Sequence, residues 1–270
     1  MSLCSLIKNT SNDYQYNIYI LYNSTDNPLN EKNVNSILTY RKANVDIIFL
    51  DVKEKYTIRF RQSEIKRFSR AMSYYIFADE LIHKDKILYL DSDTIINDDI
   101  SIIYNEDISN YLIGAVLSEG VPMRYIKTIM QNDLHFNAGT VLINLQKYRE
   151  QNIQSKCLEL FNGPKIYMFQ QEDILNILAE GQVKYLNPRY NMQWISLFSP
   201  KSIEGPYNNM QLEKEDWENP FVIHYSGGCK PWKKNYNKNI YEQYDKFWWQ
   251  YAEQTNLYKE DCECFNMLKS

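Results

Sequence analysis

Two aspartates separated by one residue stand directly after a short apolar segment in the first half of the chain. The segment is Ile87 to Leu90, and the aspartates are Asp91 and Asp93. A strand that ends in this way places both carboxylates at the edge of a sheet, where they repel and raise each other's pKa. A hard divalent cation binds carboxylate oxygens and relieves that repulsion. The pair therefore predicts a metal site with open positions that a substrate diphosphate can fill.

The same pattern has two other interpretations. One is a strand followed by a solvated turn, because aspartate is a common turn residue. The other is a phosphatase of the haloacid dehalogenase type, in which the first aspartate is a nucleophile and Mg²⁺ assists. That type has Thr or Val two residues beyond the second aspartate, where this chain has Ile95, and a downstream GDxxxD, which this chain lacks. The dehalogenase-type interpretation is therefore the least favoured.

Three later segments carry polar residues in a recognisable order. They are His135 to Gly139 (HFNAG), Gln170 to Asn176 (QQEDILN) and Ile223 to Trp232 (IHYSGGCKPW). With these spacings the chain resembles glycosyltransferase family 8, whose motifs are YLDxD, FNAGxxLINL, a DQDxLN-like segment and HYxGxxKPW. The matching segments are 89–93, 136–145, 171–176 and 224–232. The resemblance covers nearly the whole chain, and four ordered motifs are far more specific than one.

The resemblance implies a GT-A fold and an enzyme that depends on a metal. The implied reaction moves a hexose from UDP-glucose or UDP-galactose to a glycan, lipooligosaccharide or protein-linked acceptor, with retention of configuration. Carboxylates and a neutral imidazole suit Mn²⁺, and Mg²⁺ is the alternative ion. The implied metal ligands are Asp91, Asp93 and His224, and the implied donor-binding residues are Asn137, Ala138, Gly227 and Lys230.

The segment 171–173 aligns with the part of the family that steadies the oxocarbenium-like centre of the sugar. The family has Asp-Gln-Asp where this chain has Gln171, Glu172 and Asp173. The resemblance implies that Glu172 acts as a covalent nucleophile or an electrostatic stabiliser, and that Asp173 binds sugar hydroxyls. The alternative is that Glu172 is an ordinary acidic residue in the first turn of a helix.

Two departures distinguish the chain from the family pattern. Family members begin with a strand that holds the nucleotide, followed by a helix ending like SLLKNT. Ser5 to Thr10 already matches the second half of that helix, so the first strand is expected to be missing. A family arginine aligns with Tyr74, and Arg70, one turn earlier on the same face, is the expected substitute. The alternative function is therefore a catalytically impaired GT-A-like protein that binds a sugar or a protein partner.

The elements that position these motifs alternate in type. Strand-like runs at 17–22, 45–52 and 86–90 are separated by helical spacing over 33–41 and 65–82. This order predicts an α/β, Rossmann-like and mostly parallel sheet with helices on both faces. Ligands bind beyond the carboxyl ends of such strands. The second half predicts strands at 112–117, 140–145 and 221–225, helices at 122–131, 147–161 and 173–179, and a long loop region over 187–220.

We expect a GT-A domain over 1–235 and a C-terminal aromatic helical extension over 236–270. The extension begins near Lys233 and Lys234 and contains Trp248 and Trp249. This composition favours either peripheral contact with a membrane or a helix whose aromatic face packs on the domain. Acidic residues within the extension dilute its positive charge and favour the second interpretation.

Composition excludes several classes of protein. The 270 residues include 30 basic and 34 acidic side chains, a net charge of -4, so the basic field of a nucleic-acid-binding protein is absent. No apolar run approaches the roughly 20 residues that span a bilayer, and no signal peptide opens the sequence. Five cysteines without zinc-site spacing favour a reduced compartment. We expect a cytoplasmic protein, with any membrane contact at the inner face, whose partners are a UDP-sugar donor and a glycan or glycolipid acceptor.

Overall fold

The N-terminal part of the chain forms a helix and a parallel pair of strands. The computed structural model describes residues 1–25, 28–40, 42–53, 70–118, 121–193, 218–227, 230–233, 238–255 and 258. The helix α1 (Ser2–Lys8) confirms the expected helical start. Strands β1 (Tyr16–Tyr22) and β2 (Val45–Asp51) pair in parallel, with α2 (Glu31–Leu38) between them. This β-α-β unit follows the sequence prediction.

The central sheet contains four strands. They are β3 (Lys86–Leu90), β5 (Ile113–Leu117), β6 (Phe136–Asn144) and β7 (Val183–Tyr185), in the spatial order β3-β6-β5-β7. Strand β6 runs antiparallel to both of its neighbours, whereas β5 and β7 are parallel. Strand β6 also begins four residues earlier than expected, so the HFNAG segment lies largely within a buried strand.

A small three-stranded sheet begins with the strand that directly follows β3 in the chain. It contains β4 (Thr94–Ile96), β8 (Met192–Gln193) and β9 (Val222–His224), in the order β4-β9-β8. Strands β4 and β9 are antiparallel, and β8 and β9 are parallel. The α/β class is confirmed, but the pairing within the described residues is mixed rather than mostly parallel. The main reason is β6, which is reversed between two strands of the opposite direction.

The helices differ from the predictions at several places. Within the segment 187–220, which is expected to be loop, Pro188–Asn191 form a 3-10 helix, and 194–217 lie outside the described residues. The expected helix 147–161 is broken into two, because Asn152 has a φ of 53°, a left-handed conformation that asparagine tolerates better than most residues. Residues Arg70–Phe77 form a 3-10 helix rather than an α-helix, and 54–69 lie outside the described residues. The remaining α-helices are α3 (Ala78–Leu81), α4 (Ser101–Tyr104), α5 (Met123–Ile129), α6 (Leu145–Glu150), α7 (Ile153–Asn162), α8 (Gln171–Ala179) and α9 (Lys238–Ala252).

The C-terminal helix packs its aromatic face against the small sheet. Trp248 and Trp249 are buried in one core cluster with Ile95 of β4 and Ile223 of β9. The Trp232 ring stacks on that of Trp248, with centroids 5.4 Å apart. The buried indoles therefore stabilise the fold by packing in its core, as the packing interpretation requires. The domain boundary between residues 235 and 236 stays a prediction.

Long apolar helices and bridged cysteines are both absent from the described part of the chain. No helix there is long and apolar enough to cross a membrane. Cys4 and Cys157 are buried free thiols. Cys229, Cys262 and Cys264 lie outside the described residues.

Candidate active site

Two elements bring the predicted metal ligands together. Strand β3 ends at Leu90, so Asp91 and Asp93 occupy the turn between β3 and β4. The antiparallel register of β4 and β9 pairs Thr94 with His224. His224 Nε2 lies 3.5 Å from Asp91 Oδ2 and 3.3 Å from Asp93 Oδ1. One ligand atom from each of these three residues lies within 4.8 Å of the others, close enough for a single ion.

The His224 ring is oriented by two buried asparagines. Its Nδ1 lies 3.0 Å from Asn137 Oδ1 and 3.1 Å from Asn191 Oδ1. Asn137 Oδ1 also accepts the backbone N–H of Gly139 at 2.9 Å, which identifies this atom as the oxygen. His224 Nδ1 must therefore donate, and a neutral ring presents the lone pair of Nε2 to the two carboxylates. Such outer hydrogen bonds fix the orientation of metal-binding histidines.

Gly139 leaves the space that His224 occupies. A Cβ on Gly139 would lie 2.9 Å from His224 Nε2 and still closer to Cε1 and Nδ1. Real Cβ atoms do not approach neighbours this closely, so only glycine fits beneath the ring. The glycine of the FNAG motif therefore shapes the metal site.

The two carboxylates and the imidazole of the cluster perturb one another's pKa values in different directions. Burial raises the pKa of Asp91, and the neighbouring charge of Asp93 adds to that effect. Burial also opposes the ionisation of Asp93, but His224 and Lys230 outweigh it and hold the pKa of that carboxyl well below its usual range. Burial opposes the charge on His224, but Asp93 and Asp91 outweigh it and raise the pKa of the imidazole.

The donor set fits a divalent ion. Two carboxylates and one imidazole nitrogen match the ligand preferences of Mn²⁺, and Mg²⁺ is bound by carboxylates in the same way. Three protein ligands leave coordination positions free for a substrate. Asp91, Asp93 and His224 could therefore hold such an ion together with a ligand.

Lys230 lies beside the metal cluster. Its ammonium group donates to Asp93 Oδ2, and also to the carbonyl of Tyr225 at 2.6 Å. Gly227 has a φ of 72°, in the left-handed region that favours glycine. Lys230 thus places one cation beside Asp93, and Gly227 provides an exposed backbone turn in the same segment of the chain.

Glu172 is connected to the metal cluster through Asn137. In the first turn of α8, Glu172 Oε2 accepts the backbone N–H of Ala138 at 2.9 Å and Asn137 Nδ2 at 3.1 Å. The oxygen of the same Asn137 amide contacts His224. Burial raises the pKa of Glu172 to about 7. One side-chain amide therefore joins the predicted catalytic carboxylate to the predicted third metal ligand.

Asp173 has a different environment from Glu172. It is fully buried, and its two oxygens already accept three hydrogen bonds, from His135 Nε2 at 2.8 Å, Tyr125 OH at 2.5 Å and the Phe169 N–H at 2.8 Å. Because Asp173 has no exposed surface, sugar hydroxyls could reach it only if the side chains around it moved aside. The expected sugar-binding role thus stays a prediction.

The other predicted site residues are placed as follows. Gln171 is buried, and its Oε1 has no hydrogen-bond partner among the described residues. The side chain of Arg70 lies outside the described part of the chain. Tyr74, which aligns with the family arginine, is buried in the core.

Sequence reasoning missed four residues of the site. Gly139 stood inside a recognised motif, but its contact with His224 follows only from the packing. Asn191 lies in the segment expected to be loop, where no periodicity marks it. His135 directly precedes the FNAG motif, and Tyr89 is the first residue of the YLDxD motif. Tyr89 OH donates a hydrogen bond to Asp91 Oδ1 at 2.6 Å. Their proximity to the carboxylates is a property of the fold.

Comparison with known proteins identifies the family. The family model described as glycosyl transferase family 8 matches residues 1–236. The chain belongs to glycosyltransferase family 8. This membership confirms the expected enzyme class, a hexosyltransferase of that family, and leaves the dehalogenase-type interpretation without support.

Relatives and solved structures agree with the assignment of this family 8 enzyme. General stress protein A of Bacillus subtilis is 28% identical over 253 residues, which cover 89% of this chain and 84% of the relative. The lipopolysaccharide 1,2-glucosyltransferase of Escherichia coli K12 is 29% identical over 174 residues, which cover 62% of this chain and 50% of the relative. The galactosyltransferase LgtC, solved with donor and acceptor sugar analogs, superposes with a TM-score of 0.73 at 24% identity, covering 94% of this chain and 91% of LgtC. That likeness shows the GT-A fold.

Proposed function

We propose that this family 8 enzyme transfers a hexose from UDP-glucose or UDP-galactose, with retention of configuration, to a glycan or glycolipid acceptor. The observation that carries the proposal is the continuous set of contacts from Asp91 and Asp93 through His224 and Asn137 to Glu172. One end of this set offers metal ligands, and the other end offers a carboxylate. In a bound nucleotide-sugar, the diphosphate would therefore lie at the metal ligands and the anomeric carbon at the carboxylate.

Asp91, Asp93 and His224 would hold Mn²⁺ or Mg²⁺ at the diphosphate. When bound there, the ion stabilises negative charge on the departing UDP. Lys230 is close enough to Asp93 to share in this task, because its ammonium can exchange the carboxylate for a phosphate oxygen. Gly227 leaves the backbone beside it open to the phosphates.

Glu172 is proposed to act at the anomeric carbon. Its Oε2 is held by the Ala138 N–H and by Asn137, which leaves Oε1 for the sugar. An ionised Oε1 can attack the carbon as the bond to UDP breaks, or stabilise the positive charge that develops there. Either step gives retention when the acceptor then enters from the face that UDP has left.

A hydrolysis assay tests the proposal. Release of UDP from UDP-glucose and UDP-galactose is measured with Mn²⁺, with Mg²⁺ and with EDTA, for the wild type and for Asp93→Asn. We expect slow, metal-dependent hydrolysis that the substitution abolishes, and an α-anomer as the first sugar product by NMR. A β-anomer would contradict retention, and equal rates with and without metal would contradict the proposed ligands.

A thermal-shift measurement separates this function from the alternative of an impaired sugar-binding protein. A ligand that binds only the native state raises Tm by mass action. A rise that requires both a UDP-sugar and Mn²⁺, without any turnover, would favour the binding protein. Membrane contact through residues 236–270 and a cytoplasmic location stay predictions, and the described part of that segment directs Trp248 and Trp249 into the core.

A further inference from the structure

Each carboxylate of the metal cluster has one oxygen close to His224 and the other on a hydrogen-bond donor. Asp91 Oδ2 and Asp93 Oδ1 lie 3.5 and 3.3 Å from His224 Nε2. The outer oxygen of Asp93, Oδ2, accepts a hydrogen bond from Lys230. The outer oxygen of Asp91, Oδ1, accepts one from Tyr89 OH at 2.6 Å. Three inner ligand atoms therefore face one another, and donors hold the two outer oxygens.

The hydrogen bond from Tyr89 is a short one to a carboxylate. Hydroxyl groups that donate to an ionised carboxylate lie about 2.5–2.7 Å from it, and the observed 2.6 Å falls in that range. An ionised carboxylate only accepts hydrogen bonds, so the phenol is the donor. The phenol and a metal ion would therefore occupy different oxygens of Asp91, and the hydrogen bond can persist when Oδ2 binds an ion.

Packing holds both ends of this hydrogen bond in place. Side chains two residues apart along an extended chain lie on the same side, which puts the Tyr89 ring next to Asp91. That ring packs on the ring of buried Tyr75, with centroids 4.6 Å apart, and its backbone pairs with Val141 of β6. The backbone N–H of Asp91 donates to the carbonyl of Gly139 at 2.9 Å. The carboxylate therefore cannot turn without losing one of these contacts.

The donors on the two outer oxygens differ in mobility. Lys230 carries its ammonium group on a flexible stem, so Asp93 can regain its outer oxygen when the lysine moves to another acceptor. The Tyr89 hydroxyl is on a rigid ring inside the fold, and it stays on Asp91 Oδ1. Asp91 is thus left with a single oxygen, Oδ2, for an ion.

We propose that Tyr89 is a positioning residue that restricts Asp91 to one metal-binding oxygen and thereby favours Mn²⁺ and Mg²⁺ over Ca²⁺. The inference rests on the proposed function, in which Asp91, Asp93 and His224 hold an ion. Mg²⁺ requires a compact, nearly octahedral ligand set, and Mn²⁺ is also bound octahedrally. Ca²⁺ takes six to eight oxygens and is often chelated by both oxygens of a carboxylate. Tyr89 acts through Asp91 and does not itself bind the ion.

Tyr89→Phe tests the inference because it removes only the hydroxyl and keeps the ring that packs on Tyr75. Binding of Mn²⁺, Mg²⁺ and Ca²⁺ is measured by calorimetry without nucleotide. We expect the affinity for Mn²⁺ to fall about tenfold, as is typical when a metal ligand loses an outer hydrogen bond. The freed Oδ1 can join Oδ2 on a larger ion, so the affinity for Ca²⁺ should fall less. An unchanged Mn²⁺ affinity, or equal losses for all three ions, would overturn the inference.

Tyr148→Phe is the matched control for the loss of a tyrosine hydroxyl. Tyr148 is 1% exposed in the core cluster against which Tyr89 packs, and its OH donates to the carbonyl of Ile76 at 3.3 Å. A purely structural hydroxyl, which takes the nearest acceptor on burial, affects stability alone. We expect Tyr148→Phe to lower Tm and to leave the three affinities as in the wild type. Matching losses of ion affinity in both variants would overturn the inference, because they would reflect general loosening of the fold.

A crystal structure of the wild type with Mn²⁺ provides a readout that needs neither a variant nor activity. We expect one Asp91 oxygen on the ion and the other on Tyr89 OH, and two Asp91 oxygens on the ion would overturn the inference. This arrangement in a protein that neither hydrolyses nor transfers a hexose would support the inference and refute the proposed function. Metal-dependent hydrolysis with an unaltered ion preference in Tyr89→Phe would refute the inference alone.

Discussion

Substitution of Gly139 by alanine tests the geometry of the metal site most directly. The added Cβ would lie 2.9 Å from His224 Nε2 and closer to two other ring atoms. Since carbon makes ordinary contacts at about 3.5 Å, Nε2 must retreat by about 0.6 Å and the nearer atoms by more. Metal–ligand distances vary by only about 0.2 Å in working sites. The displaced ring can therefore no longer complete the ligand set.

The expected result is a loss of metal affinity with retention of the fold. Displacement also strains the hydrogen bonds of His224 to Asn137 and Asn191. Loss of such support weakens metal binding about 10- to 100-fold, and overpacking of this kind costs about 1–3 kcal/mol of stability. Isothermal titration calorimetry with Mn²⁺ measures the first effect, and thermal unfolding measures the second.

Gly114→Ala serves as the control for overpacking alone. A Cβ there would meet Ile108 Cγ2 at 2.9 Å, in the core and away from the metal ligands. We expect this variant to lose stability but to bind Mn²⁺ as the wild type does. Wild-type Mn²⁺ affinity in Gly139→Ala would refute the reasoning, because it would mean that His224 is not a ligand or that its ring moves freely.

Three further variants follow from the same structure. Asn191→Ala removes one of the two acceptors of His224 Nδ1, and we expect Mn²⁺ affinity, measured by calorimetry, to fall about tenfold; an unchanged affinity would show that Asn137 alone orients the ring. Glu172→Gln should lower kcat about 10²- to 10³-fold while donor affinity changes little, and equal losses in kcat and affinity would argue against a role specific to the transition state. Burial raises the pKa of Asp245 to about 7, and its Oδ1 has no hydrogen-bond partner among the described residues. The folded protein thus keeps a proton that the unfolded chain loses near pH 4, and stability falls as pH rises from about 4 to 7. Asp245→Asn should therefore raise Tm more at pH 8 than at pH 5, and a gain independent of pH would exclude this cause.

Much of the fold could be predicted because its elements have clear periodicity. The β-α-β unit of residues 16–51 and the strand 86–90 came directly from alternating strand-like and helical runs. Strand direction could not be obtained in this way, because a reversed central strand such as β6 has the same apolar pattern as a parallel one. The break between α6 and α7 depends on the left-handed backbone of Asn152. Asparagine has a low helix propensity, but that alone does not predict a break at this position.

The site could be predicted only where the residues belong to recognisable motifs. Asp91, Asp93 and His224 are brought together as expected, because each lies at the end of a strand or in a motif with a fixed position. Asn191 gave no signal, since it lies in a Pro-containing segment without periodicity. His135 is the first residue of the HFNAG segment, and nothing in the sequence indicated its contact with Asp173, which depends on how α8 packs against β6.

The pairing of β4 with β9 has a consequence for the whole molecule. Asp91 and His224 lie at opposite ends of a long stretch of chain, so an ion shared by them acts as a reversible cross-link that closes a very large loop. The entropy of closing such a loop grows only slowly with its length, and most of it is already lost when the small sheet forms. A bound ion should therefore add only a small stabilising contribution to a link between the two parts of the chain that the pairing of β4 with β9 and the packing of α9 already make.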